Sequence, residues 1–197
     1  MIKYVLSDYA GVISYPQDKD DINEMAGICG VSLSAFESAY WKHREAYDQG
    51  KLTGQEYWKR SFPELDLIPG KINQLIKIDS ESWSHLNAET QEWLEEIKST
   101  GVRLALFSNM PPELTQYLKI NIPWLKIFEK SFYSCELGLC KPHAASFQAV
   151  LKGLKQNADE VLFVDDREDN IEGAKSVGLK TMLFKDVATS RKEYLHV

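Results

Sequence analysis

The chain has 197 residues, a net charge of −6, and 44% hydrophobic and 26% charged residues, a balance that fits a globular protein with one good core and a modest insertion. The acidic excess, with no Lys/Arg block, excludes a non-specific nucleic-acid binder, and no apolar run approaches the roughly 20 residues needed to cross a bilayer. Three cysteines (Cys29, Cys135, Cys140) make neither a CxxC pair nor an even disulfide framework, and four histidines (His43, His85, His143, His196) lack zinc-site spacing. The first residues are an apolar run without a cleavable leader pattern, so a reduced, cytoplasmic protein is expected.

Residues 2–7 read as a buried strand that stops at Asp8 and a turn containing Gly11. Ile22, Met25, Ala26 and Cys29 fall at helical spacing and predict a helix over 18–30. A second helix is expected from Ser34 to about Gly50, carrying Phe36, Ala39, Tyr40, His43 and Tyr47. Thr53-Gly54-Gln55-Glu56 is a capping box that opens a third helix, and Pro63 stops it. Pro69-Gly70 reads as a turn and residues 72–83 as another helix. Nothing in 16–83 has strand character, so this stretch is predicted to be a helical insertion.

The pattern changes at Asn87. A helix over 90–98 leads to a strand over 102–107 that ends in Ser108-Asn109, and Pro111 opens the next helix. A strand near 131–134, a loop, and a helix from Lys141-Pro142 to Gly153 follow. A strand over 161–164 ends in Asp165-Asp166, a helix over 170–177 stops at Gly178, and 181–184 is the last strand. Alternating strands and helices predict an α/β fold, a doubly wound, Rossmann-like parallel sheet with helices on both faces. Asp8, Ser108 and Asp165-Asp166 all lie at C-terminal strand ends, and Lys141 starts a helix in the same layout. In open α/β sheets that edge is where ligands bind.

The same segments resemble the four motifs of the haloacid dehalogenase superfamily. Val5-Leu6-Ser7-Asp8-Tyr9-Ala10-Gly11-Val12 is similar to the first, Leu106-Phe107-Ser108-Asn109 to the second, and Leu139-Cys140-Lys141-Pro142 to the third. Phe163-Val164-Asp165-Asp166-Arg167-Glu168-Asp169-Asn170 resembles the fourth. Gly50-Lys51-Leu52-Thr53 and Asn170-Ile171-Glu172-Gly173-Ala174 resemble the branch that holds a bacterial glucose-1-phosphate phosphatase and the phosphatase domain of soluble epoxide hydrolases. The resemblance implies a core of residues 1–15 and 84–197, with 16–83 as a small helical cap inserted after the first strand. It further implies a Mg²⁺-dependent phosphatase of small phosphorylated metabolites, sugar phosphates foremost, that acts through an aspartyl-phosphate on Asp8.

The residue chemistry is compatible. A carboxylate that attacks a phosphate dianion needs cations, and Mg²⁺ takes oxygen ligands. Asp8, the Ala10 carbonyl and Asp166 are the expected ligands, with Asp165 as a second candidate. Lys141 would neutralise Asp8 and a phosphoryl oxygen, while Ser108, with amides near Asn109, would hydrogen-bond the transferring group. Taken singly each residue has an ordinary explanation: Asp8 as a turn former, Ser108-Asn109 as a helix cap, Lys141 as a solvated charge, Asp165-Asp166 as helix-dipole partners. Their order on one edge favours the functional reading.

Position 10 departs from the pattern. Relatives commonly carry an aspartate two residues after the nucleophile, which protonates the leaving group; here it is Ala10. General acid catalysis is worth about 10²–10⁴-fold. A substitute acid, or a sugar 1-phosphate that leaves easily, would keep a phosphatase working, and the similar glucose-1-phosphate phosphatase also lacks that aspartate. Carbon–halogen hydrolysis is disfavoured because family dehalogenases lack the acidic pair retained as Asp165-Asp166. Carbon–phosphorus hydrolysis would need a cap lysine such as Lys42, Lys51 or Lys59, and a non-catalytic phosphate binder is the remaining alternative. Asn170 stands where many relatives have an acid, and would tune a metal-bound water. In the cap, Trp41, His43, Arg44 and Tyr47 are candidate substrate contacts, and His143 is expected to be an exposed helix-start residue. The expected partner is a small phosphorylated molecule, with neither nucleic acid nor membrane.

Overall fold

The computed structural model describes residues 1–67 and 70–196. Five parallel strands, β1 (Tyr4–Ser7), β2 (Arg103–Ser108), β3 (Lys130–Tyr133), β4 (Val161–Asp165) and β5 (Lys180–Leu183), form one sheet in the order β3-β2-β1-β4-β5. Between β1 and β2 come α1 (Lys19–Cys29), α2 (Leu33–Lys42), α3 (Arg44–Asp48), α4 (Gly54–Ser61), α5 (Lys71–Ser82) and α6 (Ala88–Ser99). Then follow α7 (Pro112–Asn121), α8 (Ser134–Leu137), α9 (Ala144–Leu154), α10 (Glu168–Ser176) and α11 (Val187–Tyr194).

The central strands are apolar on both faces, as a sheet covered on both sides requires. Val5, Leu104, Leu106, Leu162 and Val164 point to one side and pack with Trp93, Leu94 and Ile97 of α6, Leu114 and Leu118 of α7, and Val187 of α11. Tyr4, Leu6, Ala105, Phe107, Val161 and Phe163 point to the other and meet Phe147, Val150 and Leu154 of α9 and Ile171 and Ala174 of α10. The doubly wound parallel sheet expected from the strand–helix alternation is therefore the fold observed.

Helices α1 to α5 enclose a third cluster of their own, built on Met25, Phe36, Tyr40, Tyr47, Tyr57, Trp58 and Leu75. Tyr47 and Tyr57 stack with centroids 4.4 Å apart, and Phe36 and Phe62 at 5.4 Å. No strand occurs among the described residues of this stretch. Both halves of the capping box form, with Thr53 N–H donating to Glu56 Oε2 at 2.8 Å and Glu56 N–H to Thr53 Oγ1 at 3.2 Å. Pro69 of the expected turn lies outside the described residues, whereas Gly70 caps α5.

Two expectations need correction, and one helix went unpredicted. The single helix expected from Ser34 to Gly50 is broken at His43 (φ −116°, ψ 7°) into α2 and α3. The break accompanies a turn of Arg44 inward, where it pairs with Asp48 and Asp79. The loop expected after β3 begins with the short helix α8, ended by Gly138 in the left-handed region. Helix α11, unmarked by any apolar stripe, is opened by Asp186, whose side chain accepts from Thr189 N–H at 2.7 Å. Among the described residues no helix is long and apolar enough to cross a membrane.

Candidate active site

β1 is central, so its C-terminal end lies between those of β2 and β4, and their registers place Asp8 level with Asp165 and one residue short of Ser108. The backbone N–H of Asp8 donates to the Val164 carbonyl at 2.8 Å, which continues the β1–β4 pairing one residue past the strand. Lys141, from the loop before α9, reaches across this gap. Its Nζ sits 2.8 Å from Asp8 Oδ1 and 2.7 Å from Asp165 Oδ2, and all three residues are buried. The ammonium also lies 5.4 Å from the ring centres of both Phe107 and Phe163.

Two side-chain amides fix this arrangement. Asn109 donates from Nδ2 to the Lys141 carbonyl and accepts from the Lys141 N–H, each at 2.9 Å. Asn170 donates from Nδ2 to both Asp165 oxygens, at 3.0 and 3.1 Å, and the Arg167 N–H adds a contact to Oδ1 at 2.9 Å. Asn170 thus orients Asp165, and Asn109 positions the lysine. Gly11, at φ +80°, lies so close to the Asp166 carboxylate that a Cβ there would collide with it.

Asp8, Asp165 and Asp166 offer carboxylate oxygens that all lie within 4.8 Å of one another. One ammonium bridges Asp8 and Asp165 beside Asp166, so the carboxylates outnumber the cation between them. Burial pushes the Asp8 carboxyl up, Lys141 opposes that, and Asp165 adds to it. Asp166 is likewise raised, by burial and then by Asp165. Burial disfavours the charged form of Lys141, but Asp8 and Asp165 together outweigh this and raise its pKa. An all-oxygen donor set with that charge excess suits a hard divalent cation.

A cavity of about 570 Å³ opens over these groups. Asp8, Ala10, Ser108, Asn109, Lys141 and Asp166 line its floor. From the insertion, Trp41, Arg44, Glu45 and Asp48 also line it. Trp41 is 57% exposed. Arg44, although at the wall, is buried and already paired with Asp48 at 2.9 Å and Asp79 at 3.1 Å. His43 and Tyr47 are not among the lining residues, and Tyr47 is covered by Tyr57. His143 is exposed at the start of α9, as expected, and it also lines the cavity, with Nε2 3.4 Å from Glu45 Oε1. The sequence reading missed Glu45, Asp48, Trp83 and Ser134. Asp48 and Ser134 had no local signal, since their importance arises from a contact between positions 86 residues apart.

A family model described as haloacid dehalogenase-like hydrolase matches residues 5–178. The chain belongs to the haloacid dehalogenase-like hydrolases. This hydrolase is 26% identical over 136 residues to the sesquiterpene phosphatase of Aspergillus oryzae, covering 68% of each chain. It is 29% identical over 104 residues to bifunctional epoxide hydrolase 2 of Rattus norvegicus, a match spanning 53% of this chain and only 16% of that protein. A haloacid dehalogenase family enzyme of Bacteroides thetaiotaomicron, solved with magnesium and inorganic phosphate, shares its fold at a TM-score of 0.81 and 20% identity, covering 94% of this chain and 95% of that one.

Proposed function

We propose that this hydrolase is a Mg²⁺-dependent phosphatase of small phosphorylated metabolites, sugar phosphates foremost, working through an aspartyl-phosphate on Asp8. The observation that carries the reading is Lys141 Nζ bridging Asp8 and Asp165 beside a third carboxylate, Asp166. That is a site built to hold a cation and a dianion together. The relatives named as phosphatases, and the fold relative solved with magnesium and phosphate, support it.

Asp8, Asp166 and the Ala10 carbonyl would hold the metal, with Asp165 as a further candidate. The bound ion would supply charge neutralisation to the attacking carboxylate and the phosphoryl oxygens. Lys141 holds Asp8 in place and offers its one remaining N–H to the transferring group. Ser108, buried at the end of β2 on the cavity floor, donates a hydrogen bond to the same oxygens. Asp8 attacks phosphorus, the leaving oxygen departs, and water later splits the acyl phosphate. Residues 16–83 act as the cap, excluding water and shaping the substrate body. Trp41 offers an exposed aromatic face to that body.

The carbon–phosphorus alternative needs a lysine from the insertion in the cavity. Lys42, Lys51 and Lys59 are all exposed, and none lines it. The test is phosphate release from a panel of sugar phosphates, isoprenyl monophosphates and nucleotides, with Mg²⁺ or chelator, beside Asp8→Asn. Metal-dependent release that vanishes in Asp8→Asn is expected. A folded, Mg²⁺-binding protein silent across the panel would reject the reading.

A further inference from the structure

Position 10 offers only a methyl group where the leaving oxygen needs a proton, so another group facing the same cavity must serve if phosphate esters with poor leaving groups are to react. Resting on the phosphatase reading, we propose that Asp48, carried by the insertion, is the general acid and base of this site.

Asp48 lines the same cavity as Asp8, Ala10 and Lys141. Its charge also reaches Cys140, the neighbour of Lys141, where after burial it is the next cause that pushes the thiol up to about 12. Proton transfer demands placement to within a fraction of an ångström, and Asp48 is held from both sides of the cleft. The Ser134 hydroxyl, at the start of α8, donates to the Asp48 carbonyl at 2.6 Å and accepts from Met110 N–H at 2.9 Å. Met110 follows Ser108-Asn109, so one hydroxyl ties Asp48 to the phosphate-facing loop. Two residues on, Gly50 (φ +70°) lies against the Cys135 backbone so closely that a Cβ would stand 2.6 Å from its carbonyl oxygen. Arg44 Nε holds Asp48 Oδ1 at 2.9 Å, and no other hydrogen bond to this carboxylate is made by the described residues.

The charge balance allows it to carry a proton. Arg44 is shared between Asp48 and Asp79, one cation for two buried carboxylates. Tyr40 donates to Asp79 Oδ1 at 2.6 Å, so Asp79 is the better satisfied of the two. Burial pushes Asp48 up to about 6 against the pull of Arg44, a value suited to giving and taking a proton near neutrality. The other ionisable groups on the wall are less apt. Glu45 and His143 face each other with side chains 66% and 64% exposed, and Asp169 is bound to Arg167.

Asp8 forms a bond to phosphorus as the bond from phosphorus to the leaving oxygen breaks. The electron pair stays on that oxygen, which takes the Asp48 proton and departs as an alcohol. The Asp48 carboxylate then takes a proton from water as the water oxygen bonds phosphorus. The bond between phosphorus and Asp8 breaks, which frees inorganic phosphate and restores both carboxyls to their starting states.

The experiment compares p-nitrophenyl phosphate, whose leaving group needs no proton, with an alkyl phosphate, for the unmodified protein, Asp48→Asn, and Asp48→Asn combined with Ala10→Asp. Asparagine keeps an acceptor for Arg44 but has no transferable proton. The expected result is a fall in kcat/KM of about 10²–10⁴-fold on the alkyl phosphate, little change in kcat/KM on the aryl ester although its kcat falls because water activation also needs Asp48, and recovery of alkyl turnover when Ala10→Asp is added. Equal losses in kcat/KM on both esters, no loss, or no recovery would overturn the assignment while leaving the phosphatase reading intact. Should Asp48→Asn fail to fold, the unmodified protein decides. Values of kcat/KM nearly independent of leaving-group basicity support a proton donor, and values falling steeply from phenols to alkanols overturn it. Absence of release from every ester would overturn the phosphatase reading and this one together.

Discussion

Replacing Lys141 with methionine keeps a long stem between Phe107 and Phe163 but deletes the charge that bridges Asp8 and Asp165. The side chains of the three residues are 1%, 7% and 0% exposed, so water cannot compensate. Stripping one partner from a buried ion pair costs about 3–5 kcal/mol, a large share of a total stability of roughly 5–15 kcal/mol. At about 2–4 °C per kcal/mol for a chain of this size, Tm should fall by about 6–20 °C. The loss should also depend on pH. Burial already raises Asp8 while Lys141 holds it down, so removing Lys141 raises it further. A carboxyl whose folded pKa lies above its unfolded value contributes stability that is complete below the unfolded pKa. That contribution is lost as pH rises through the folded pKa. The deficit of Lys141→Met against the unmodified protein should therefore stay level up to about pH 8 and widen above it, where Asp8 is ionised in the unmodified protein but still holds its proton in the variant. The assay is thermal unfolding by circular dichroism, both proteins at matched pH in chelator. Equal Tm near neutrality, or a deficit greatest in acid, would refute the picture of Lys141 as the neutralising charge.

Gly11→Ala should cost about 1 kcal/mol through its left-handed backbone and displace Asp166, raising the Mg²⁺ concentration for half-maximal activity at least about tenfold; an unchanged metal titration would argue against Asp166 as a ligand. Asn109→Ala removes the paired bonds to the Lys141 backbone. Urea unfolding should show a loss of about 2–3 kcal/mol, and kcat should drop more than KM rises. Trp41→Ala, at a site 57% exposed, should leave stability within about 0.5 kcal/mol while raising KM; unaltered kinetics would remove Trp41 from the substrate wall.

The amino-acid sequence alone determined the strands, most helices and the edge on which Asp8, Ser108, Lys141 and Asp165-Asp166 gather. Each depends on signals only a few residues long: an apolar run ending at a polar residue, the Thr53–Glu56 capping box, a glycine or proline stop. Strand order needed the fold, because the alternation of strand and helix is the same whichever neighbours β1 takes, and only β2 and β4 on either side bring Ser108 and Asp165 to Asp8. Tertiary structure also decided what the polar side chains do. Arg44 reads as a free cation in the sequence, yet it is held by Asp79, 35 residues away. Asn109 reads as a phosphate ligand, yet its amide grips the backbone of Lys141, 32 residues on. Asp48 carried no signal at all until Ser134 met it. Local propensity extends over a turn or two of chain, whereas the desolvation and pairing that set a charged group's role depend on whichever distant residues packing brings against it.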